Sequence, residues 1–344
     1  MIDRSRPVLV TGGAGFAGSY VTRALLDRGY EVVVFDLADF RSESRYVIGQ
    51  EVLLERGSVD DWPRTLQVML EHRPSAVVHA GGSLELAYLD EHPTAALQSM
   101  VGGTVNLLEA CRLLGGVARF VYFSTIAVVG RVVYEPVDAN HPTITAKEGP
   151  LGAYSAGKLA SEAFCFTYLQ NFGVDIRIVR PSALYGFGMS WYAPNYMKNI
   201  VEPPLLGQPV RLATGGQVPR DYVNGVDIAS LAVALLEGPE DADRVFWGGT
   251  GLPLRTGADV GQIVCELVPG ADVEIGEEWT DADRKELPLR GQYSIENARA
   301  LGWEPQFADL RDGITDYIAR YRSFVDAGGT PTPQPPGLHK APGS

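Results

Sequence analysis

Cysteine is scarce in this chain. The three present, Cys111, Cys165 and Cys265, lie far apart in apolar segments with helical spacing. No pair has the spacing of a metal site, a redox couple or a disulfide framework, so all three are expected to be core residues. Long apolar runs are missing too. None approaches the roughly 20 residues that a helix needs to cross a bilayer, and the opening MIDRSRPVLV holds no apolar stretch before the first glycines. The chain is therefore expected in the cytoplasm and off the membrane. Positive charge is also in deficit: 29 Lys and Arg against 42 Asp and Glu give a formal net charge of -13. That balance repels polyanions and argues against nucleic acid as a partner. An anionic small molecule would need a local basic pocket. Internal repeats are absent.

What is present is a regular alternation. PVLVT, EVVVFD, EVLLE, SAVVHA, RFVYFS and VDIRIVRP have the composition of buried strands, with amphipathic stretches between several of them. Such alternation builds βαβ units, and the length suits one large α/β unit with an added lobe. The expected fold is α/β, a doubly wound parallel sheet over residues 1–180. A smaller C-terminal α/β substrate lobe follows over 181–327, with some segments returning to the first core. After Pro181 the pattern loosens into Gly- and Pro-bearing loops, short strands and helices such as VDIASLAVALLE. From Gly328 onward nine of 17 residues are Gly or Pro, too little apolar surface to offset ordering entropy, so 328–344 is expected to be a disordered tail.

Between the first strand and the first helix stands TGGAGFAG, with glycines at 12, 15 and 18. Gly12 permits a tight turn, Gly15 lets a pyrophosphate approach the backbone, and Gly18 lets helix and strand pack closely. The helix start, at Phe16 and Ala17, then faces the phosphates with free N–H groups and a positive dipole end. A glycine motif alone says little. Asp36 strengthens it, because it ends the next strand 18 residues beyond Gly18, where a carboxylate binds both ribose hydroxyls and repels a 2′-phosphate. NAD is favoured over NADP, with Arg41 nearby as a counter-indication.

FVYFSTIAVVG ends a strand at Ser124 and Thr125, and AYSAGKLASE sets Tyr154 and Lys158 four apart on a helix, hence on one face. In isolation such a Tyr and Lys are usually a surface pair. The surrounding motifs reverse that reading. With the glycine motif, GGTVNLLEA, YSAGK, RPSALYG, RDYVNGVDIA and ARALGWEP in order, the sequence resembles the extended short-chain dehydrogenase/reductase family, which includes NAD-dependent nucleotide-sugar epimerases and dehydratases. The resemblance covers most of the chain and implies a Rossmann fold.

It also implies roles. Tyr154 would be the acid/base that exchanges a proton with a substrate hydroxyl, and Thr125, with Ser124 beside it, would orient that hydroxyl. Lys158 would bind the nicotinamide ribose and lower the tyrosine pKa. Moving a phenol from about 10 to near 7 takes roughly 4 kcal/mol, expected from the ammonium and the cationic nicotinamide together. Ala80, Gly81 and Gly82 would form the small-residue turn beneath the cofactor, with Ser83 reaching the substrate. Leu37 would sit beside the ribose, and Ser58 and Val59 at the adenine, where the family usually has Asp and an apolar residue. Pro181 would press against the nicotinamide. His79 reads as a packed strand-end residue.

The reaction is less determined. Dehydratases of the family usually carry Asp-Glu directly after the Thr, and Ile126 and Ala127 stand here, so no acid is available to protonate a leaving hydroxyl. Arg220 matches the arginine that contacts the diphosphate in nucleotide-sugar enzymes, and Arg284, Lys285 and Arg290 are candidates to complete an anion clamp. Three departures point the other way: Ala183 replaces the substrate-binding Asn, Val129 the Tyr of VYG, and Met100 the Asn before GT. They would suit a smaller or less polar substrate such as a free sugar acid. The leading reading is a nucleotide-sugar epimerase. A dehydrogenase of a free sugar, sugar acid or other small alcohol, releasing NADH, stays open, as does a non-catalytic NAD sensor. Against the sensor stands the complete Thr125, Tyr154 and Lys158 set. No metal is expected, and the resemblance implies a homodimer paired through helices at about 94–114 and 154–171.

Overall fold

In the computed structural model, which describes residues 2–82, 86–191 and 196–334, the strands are β1 (Val8–Thr11), β2 (Val32–Asp36), β3 (Leu53–Arg56), β4 (Ala76–His79), β5 (Arg119–Phe123), β6 (Ile176–Pro181), β7 (Ala183–Tyr185), β8 (Val210–Leu212), β9 (Tyr222–Asn224), β10 (Val245–Gly248) and β11 (Val273–Ile275). Seven form one sheet in the order β10-β6-β5-β4-β1-β2-β3, and every pairing in it is parallel. The doubly wound α/β fold read from the alternation is the one observed.

A parallel sheet is covered on both faces, so its strands need apolar residues of both parities. Val8, Val10, Val34, Val78 and Val121 point into one core with Tyr20, Val21 and Leu25 of the helix Phe16–Asp27. Leu9, Val33, Val77, Phe120 and Tyr122 point into the other with Val68, Met69, Leu107 and Leu108. The pleat's period of two sends neighbours to opposite faces. Because β1 lies between β2 and β4, the winding reverses there, and a crevice opens beyond the carboxyl ends. Thr11, Asp36, His79, Phe123 and Pro181 end their strands at that edge.

Beyond Pro181, β10 supplies the seventh strand, its Trp247 in register with Arg180. The rest of the second lobe carries the parallel pairs β7–β9 and β8–β11. No helix among the described residues is long and apolar enough to cross a membrane.

One expectation is corrected. Cys265 is exposed while Cys111 and Cys165 are buried; it lies on the outer face of the helix Gly257–Leu267, whose buried face is Val260, Gly261, Ile263 and Val264. Within 328–334, Thr332 is bonded to the body of the molecule. The buried Glu43 carboxylate accepts the Thr332 amide at 2.8 Å, and the Trp191 indole donates to the Thr332 carbonyl at 2.8 Å. Two buried polar groups that need partners outweigh the low apolar content there. Residues 335–344 lie outside the described residues, as does Ser83.

Candidate active site

The glycine turn is built without side chains because none would fit. Gly12 has φ +71, and a Cβ on it would lie 2.6 Å from the backbone of Gly81; one on Gly18 would lie 2.1 Å from the Gly12 carbonyl. The turn after β1 thus rests directly on the Ala80–Gly82 turn after β4, with Ala80 donating to the Thr11 carbonyl at 3.1 Å. Asp36 is fixed at its strand end by the amides of Ala14 and Ala38, both at 2.9 Å. Its neighbour Leu37 is exposed. Arg41 reaches away to the Gly188 carbonyl at 2.6 Å. Ser58 is half-buried, and the Val59 carbonyl takes hydrogen bonds from Thr65 and Asn106 at 3.1 and 2.9 Å. A bare backbone cradle at a helix start, with a fixed carboxylate at the end of the next strand, fits NAD.

The helix Gly152–Phe172 carries Tyr154 and Lys158 to the same edge. Lys158 is buried and donates from Nζ to the Phe123 carbonyl at 2.7 Å, with the Tyr122 ring centroid 5.1 Å away. A Cβ on Gly82 would lie 3.5 Å from that Nζ, so the lysine stands between the small-residue turn and the tyrosine. Burial lowers its pKa to about 8. Thr125 accepts the Ala127 amide at 3.1 Å, and the Ser124 hydroxyl is buried with no hydrogen-bond partner among the described residues. His79 bridges Thr11 and Thr104 at 2.6 and 3.0 Å, and burial holds its pKa down to about 3. It is a neutral packing residue, as its position suggests.

Tyr154 is half-buried beside Met100, Leu89 and Ala96. Burial pushes its hydroxyl up to about 12, against a hydrogen bond with Thr125. The lysine does not offset this, because its ammonium is 6.0 Å from the ring centroid and directs its short hydrogen bond to Phe123. In the protein alone its hydroxyl therefore keeps its proton at neutral pH.

Sequence reasoning missed the next residue on the same face. Glu162, one further turn beyond Lys158, pairs through both oxygens with Arg180 at 2.9 and 2.7 Å, and both side chains are buried. The four-residue repeat Tyr154, Lys158, Glu162 was the available signal. Arg180 directly precedes Pro181, which ends β6, and its guanidinium lies 4.8 Å from the Trp247 ring.

In the second lobe two arginines are brought together. Arg220 is buried, reaches Asp283 at 3.4 Å and lies 5.5 Å from the Tyr196 ring. Arg290 pairs with Glu286, its Nε is buried with no hydrogen-bond partner among the described residues, and burial together with the charge of Arg220 lowers its pKa against the pull of Glu286. Arg284 and Lys285 are exposed, Arg284 donating to the Trp279 carbonyl. They are not part of that pair. Among the three departures, Met100 packs with Leu89, Ala96 and Tyr154, and Val129 with Trp247 and Tyr293. Both fill apolar clusters, and Ala183 is half-buried in β7.

The model of the NAD dependent epimerase/dehydratase family matches residues 8–246. The UDP-glucose 4-epimerase of Azospirillum brasilense is 30% identical over 325 residues, covering 89% of each chain. That of Rhizobium meliloti is 27% identical over 343 residues, covering 94% of this chain and 98% of its own. Among solved structures, the Thermus thermophilus UDP-glucose 4-epimerase in complex with NAD has a TM-score of 0.74 at 28% identity, covering 92% of this chain and 99% of that one. The agreement runs from the glycine cradle through the tyrosine helix to the last strand of the large sheet: the chain belongs to the NAD-dependent epimerase/dehydratase family.

Proposed function

We propose that this protein is an NAD-dependent epimerase of a nucleotide-linked sugar, with a UDP-hexose as substrate. The observation that carries the reading is the pair Arg220 and Arg290, the first buried and the second with a side chain 9% exposed. Two guanidiniums held close together repel each other and lose hydration, a cost that an anion with two negative groups relieves. A diphosphate is such an anion, and a sugar acid with a single carboxylate is not. The Nε of Arg290, without a partner among the described residues, is one donor available for it.

The chain's own residues then act as follows. Gly12, Gly15, Gly18, the start of the helix at Phe16 and Ala17, and Asp36 hold NAD, with Leu37, Ser58, Val59 and Ala80–Gly82 flanking it and Pro181 behind its ring. When bound, NAD supplies the ring that accepts and returns the hydride, and its positive charge favours the tyrosinate. Thr125 aligns the substrate hydroxyl, Tyr154 removes its proton during oxidation and restores it during reduction, and Lys158 keeps a positive charge beside the tyrosine. Arg220 and Arg290 grip the diphosphate. Ile126 is buried in an apolar cluster with Trp247, so the position after Thr125 offers no acid for eliminating water. That supports epimerisation over dehydration.

We further propose a homodimer in the cytoplasm. Leu97 and Leu113 on one helical stretch and Phe164 and Phe172 on the other are exposed apolar residues suited to covering by a second copy, and free cysteines suit a reducing compartment. The test of function is incubation with NAD and UDP-glucose or UDP-galactose. Interconversion without net NADH is expected; steady NADH production would make the protein a dehydrogenase, and no conversion of any nucleotide sugar would end the reading.

A further inference from the structure

We propose that Glu162 and Arg180 are positioning residues for the proton relay: Glu162 holds Lys158 as an ammonium, and Arg180 holds Glu162 where it can do so without capturing the lysine. The proposal rests on the epimerase reading for its kinetic arm only.

The surroundings of Lys158 make the case. On its own helix it has Tyr154, Glu162 and the buried thiol of Cys165, which burial keeps protonated. From β5 it meets the Tyr122 ring and the Phe123 carbonyl. From β4 comes His79, neutral because of its burial, and from the turn beyond it the backbone of Gly82. Among these groups Glu162 is the single formal negative charge. An ammonium removed from water and given one carbonyl acceptor tends to lose its proton, and burial already brings Lys158 down to about 8. A carboxylate one helical turn away opposes that loss, and a neutral lysine would no longer favour a tyrosinate at Tyr154.

A lone buried carboxylate could not be left beside a buried ammonium. It would take a proton or close directly on the lysine, drawing Nζ from Phe123. Arg180 prevents both. Its fork occupies both oxygens of Glu162, with the two side chains 6% and 3% exposed. Trp247 covers the guanidinium from the neighbouring strand. The pair therefore ties the tyrosine helix to β6, one residue before Pro181.

The sequence has five lysines, so in full-length protein labelled with 13C at lysine Cε the Lys158 resonance is assigned by its loss in Lys158→Arg. With NAD bound, Lys158 is expected to titrate about one pH unit lower in Glu162→Gln than in the unaltered protein. Glu162→Asp, which keeps the charge, should restore most of the difference. If Glu162→Gln unfolds because Arg180 is left unpaired, the double variant Glu162→Gln/Arg180→Met, which removes the whole pair, should shift in the same direction. In UDP-galactose turnover, the alkaline fall of kcat should move down with the titration. An unchanged Lys158 titration in the neutral variants overturns the proposal. A shifted titration in a protein that converts no nucleotide sugar would leave the positioning role standing and remove the epimerase reading.

Discussion

The two ligand sites proposed for this molecule would hold negative charge by opposite means. In the first half the proposed cradle is backbone: a glycine turn resting on a second small-residue turn, helix N–H groups, and one carboxylate held by amides of two loops, at Ala14 and Ala38. In the second half the proposed binding groups are side chains, Arg220 and Arg290, each set against a carboxylate, Asp283 and Glu286. A backbone site is made by leaving room. A side-chain site is made by burying charge, and it needs counter-charges to exist before the ligand arrives. Tyr154 and Lys158 stand on the helix Gly152–Phe172, which would serve both proposed sites.

The sharpest way to break this picture is at that helix. Tyr154→Phe removes one oxygen and should lower kcat by about a hundred- to ten-thousandfold, with NAD affinity and melting temperature unchanged. Steady-state kinetics beside calorimetric NAD titration check it. Retention of a tenth of the activity would move the acid/base role elsewhere.

Next in size is the division of labour itself. Arg220→Ala should raise KM for a UDP-sugar about ten- to a thousandfold and leave the NAD dissociation constant alone, because its guanidinium belongs to the second lobe. If NAD binding weakens equally, the two halves are not separate binding devices. Asp36→Asn should do the reverse. The unaltered protein is expected to prefer NAD over NADP by at least about tenfold, or 1.4 kcal/mol, and the variant should narrow that ratio with no change in KM for the sugar. Equal binding of the two cofactors by the unaltered protein would remove Asp36 from its role.

The same contrast explains what the sequence disclosed. Gly12, Gly15 and Gly18 are legible because a site that excludes side chains writes itself as a spacing, and Tyr154 and Lys158 because one helical turn is a fixed interval. The sheet was legible for a like reason, since strands buried on both faces read as unbroken apolar runs. An arginine's partner has no interval. Nothing local separates Arg290, which joins Arg220, from Arg284, which is exposed. Glu162 sat in plain view one turn past Lys158, but its partner Arg180 comes from β6, 18 residues on. Thr332 is ordered by Glu43, nearly three hundred residues earlier, and no composition rule sees that contact. The proposed relay was read by type, while the burial that raises the Tyr154 pKa is a property of the packed fold.

The last effect expected carries the comparison into pH. His79, in the first half, is kept neutral by burial, its pKa lowered from 6.5 to about 3. Asp221, in the second, is buried against Thr250 and raised from 3.8 to about 6. The signs oppose. Between pH 6.5 and 3 the unfolded chain binds a proton at His79 that the native protein refuses, so stability is lost as the pH falls. Between pH 6 and 3.8 the native protein keeps a proton on Asp221 that the unfolded chain releases, so stability is gained as the pH falls. At about pH 5 the two contributions are about 2 kcal/mol of loss and about 1 kcal/mol of gain relative to neutral pH. Denaturant unfolding at about pH 7 and about pH 5 separates them. His79→Gln should lessen the acid loss and Asp221→Asn should deepen it, whatever either does to stability at neutral pH. If both variants track the unaltered protein between the two pH values, neither group titrates out of step with its unfolded form, and the burial that distinguishes them has no thermodynamic consequence.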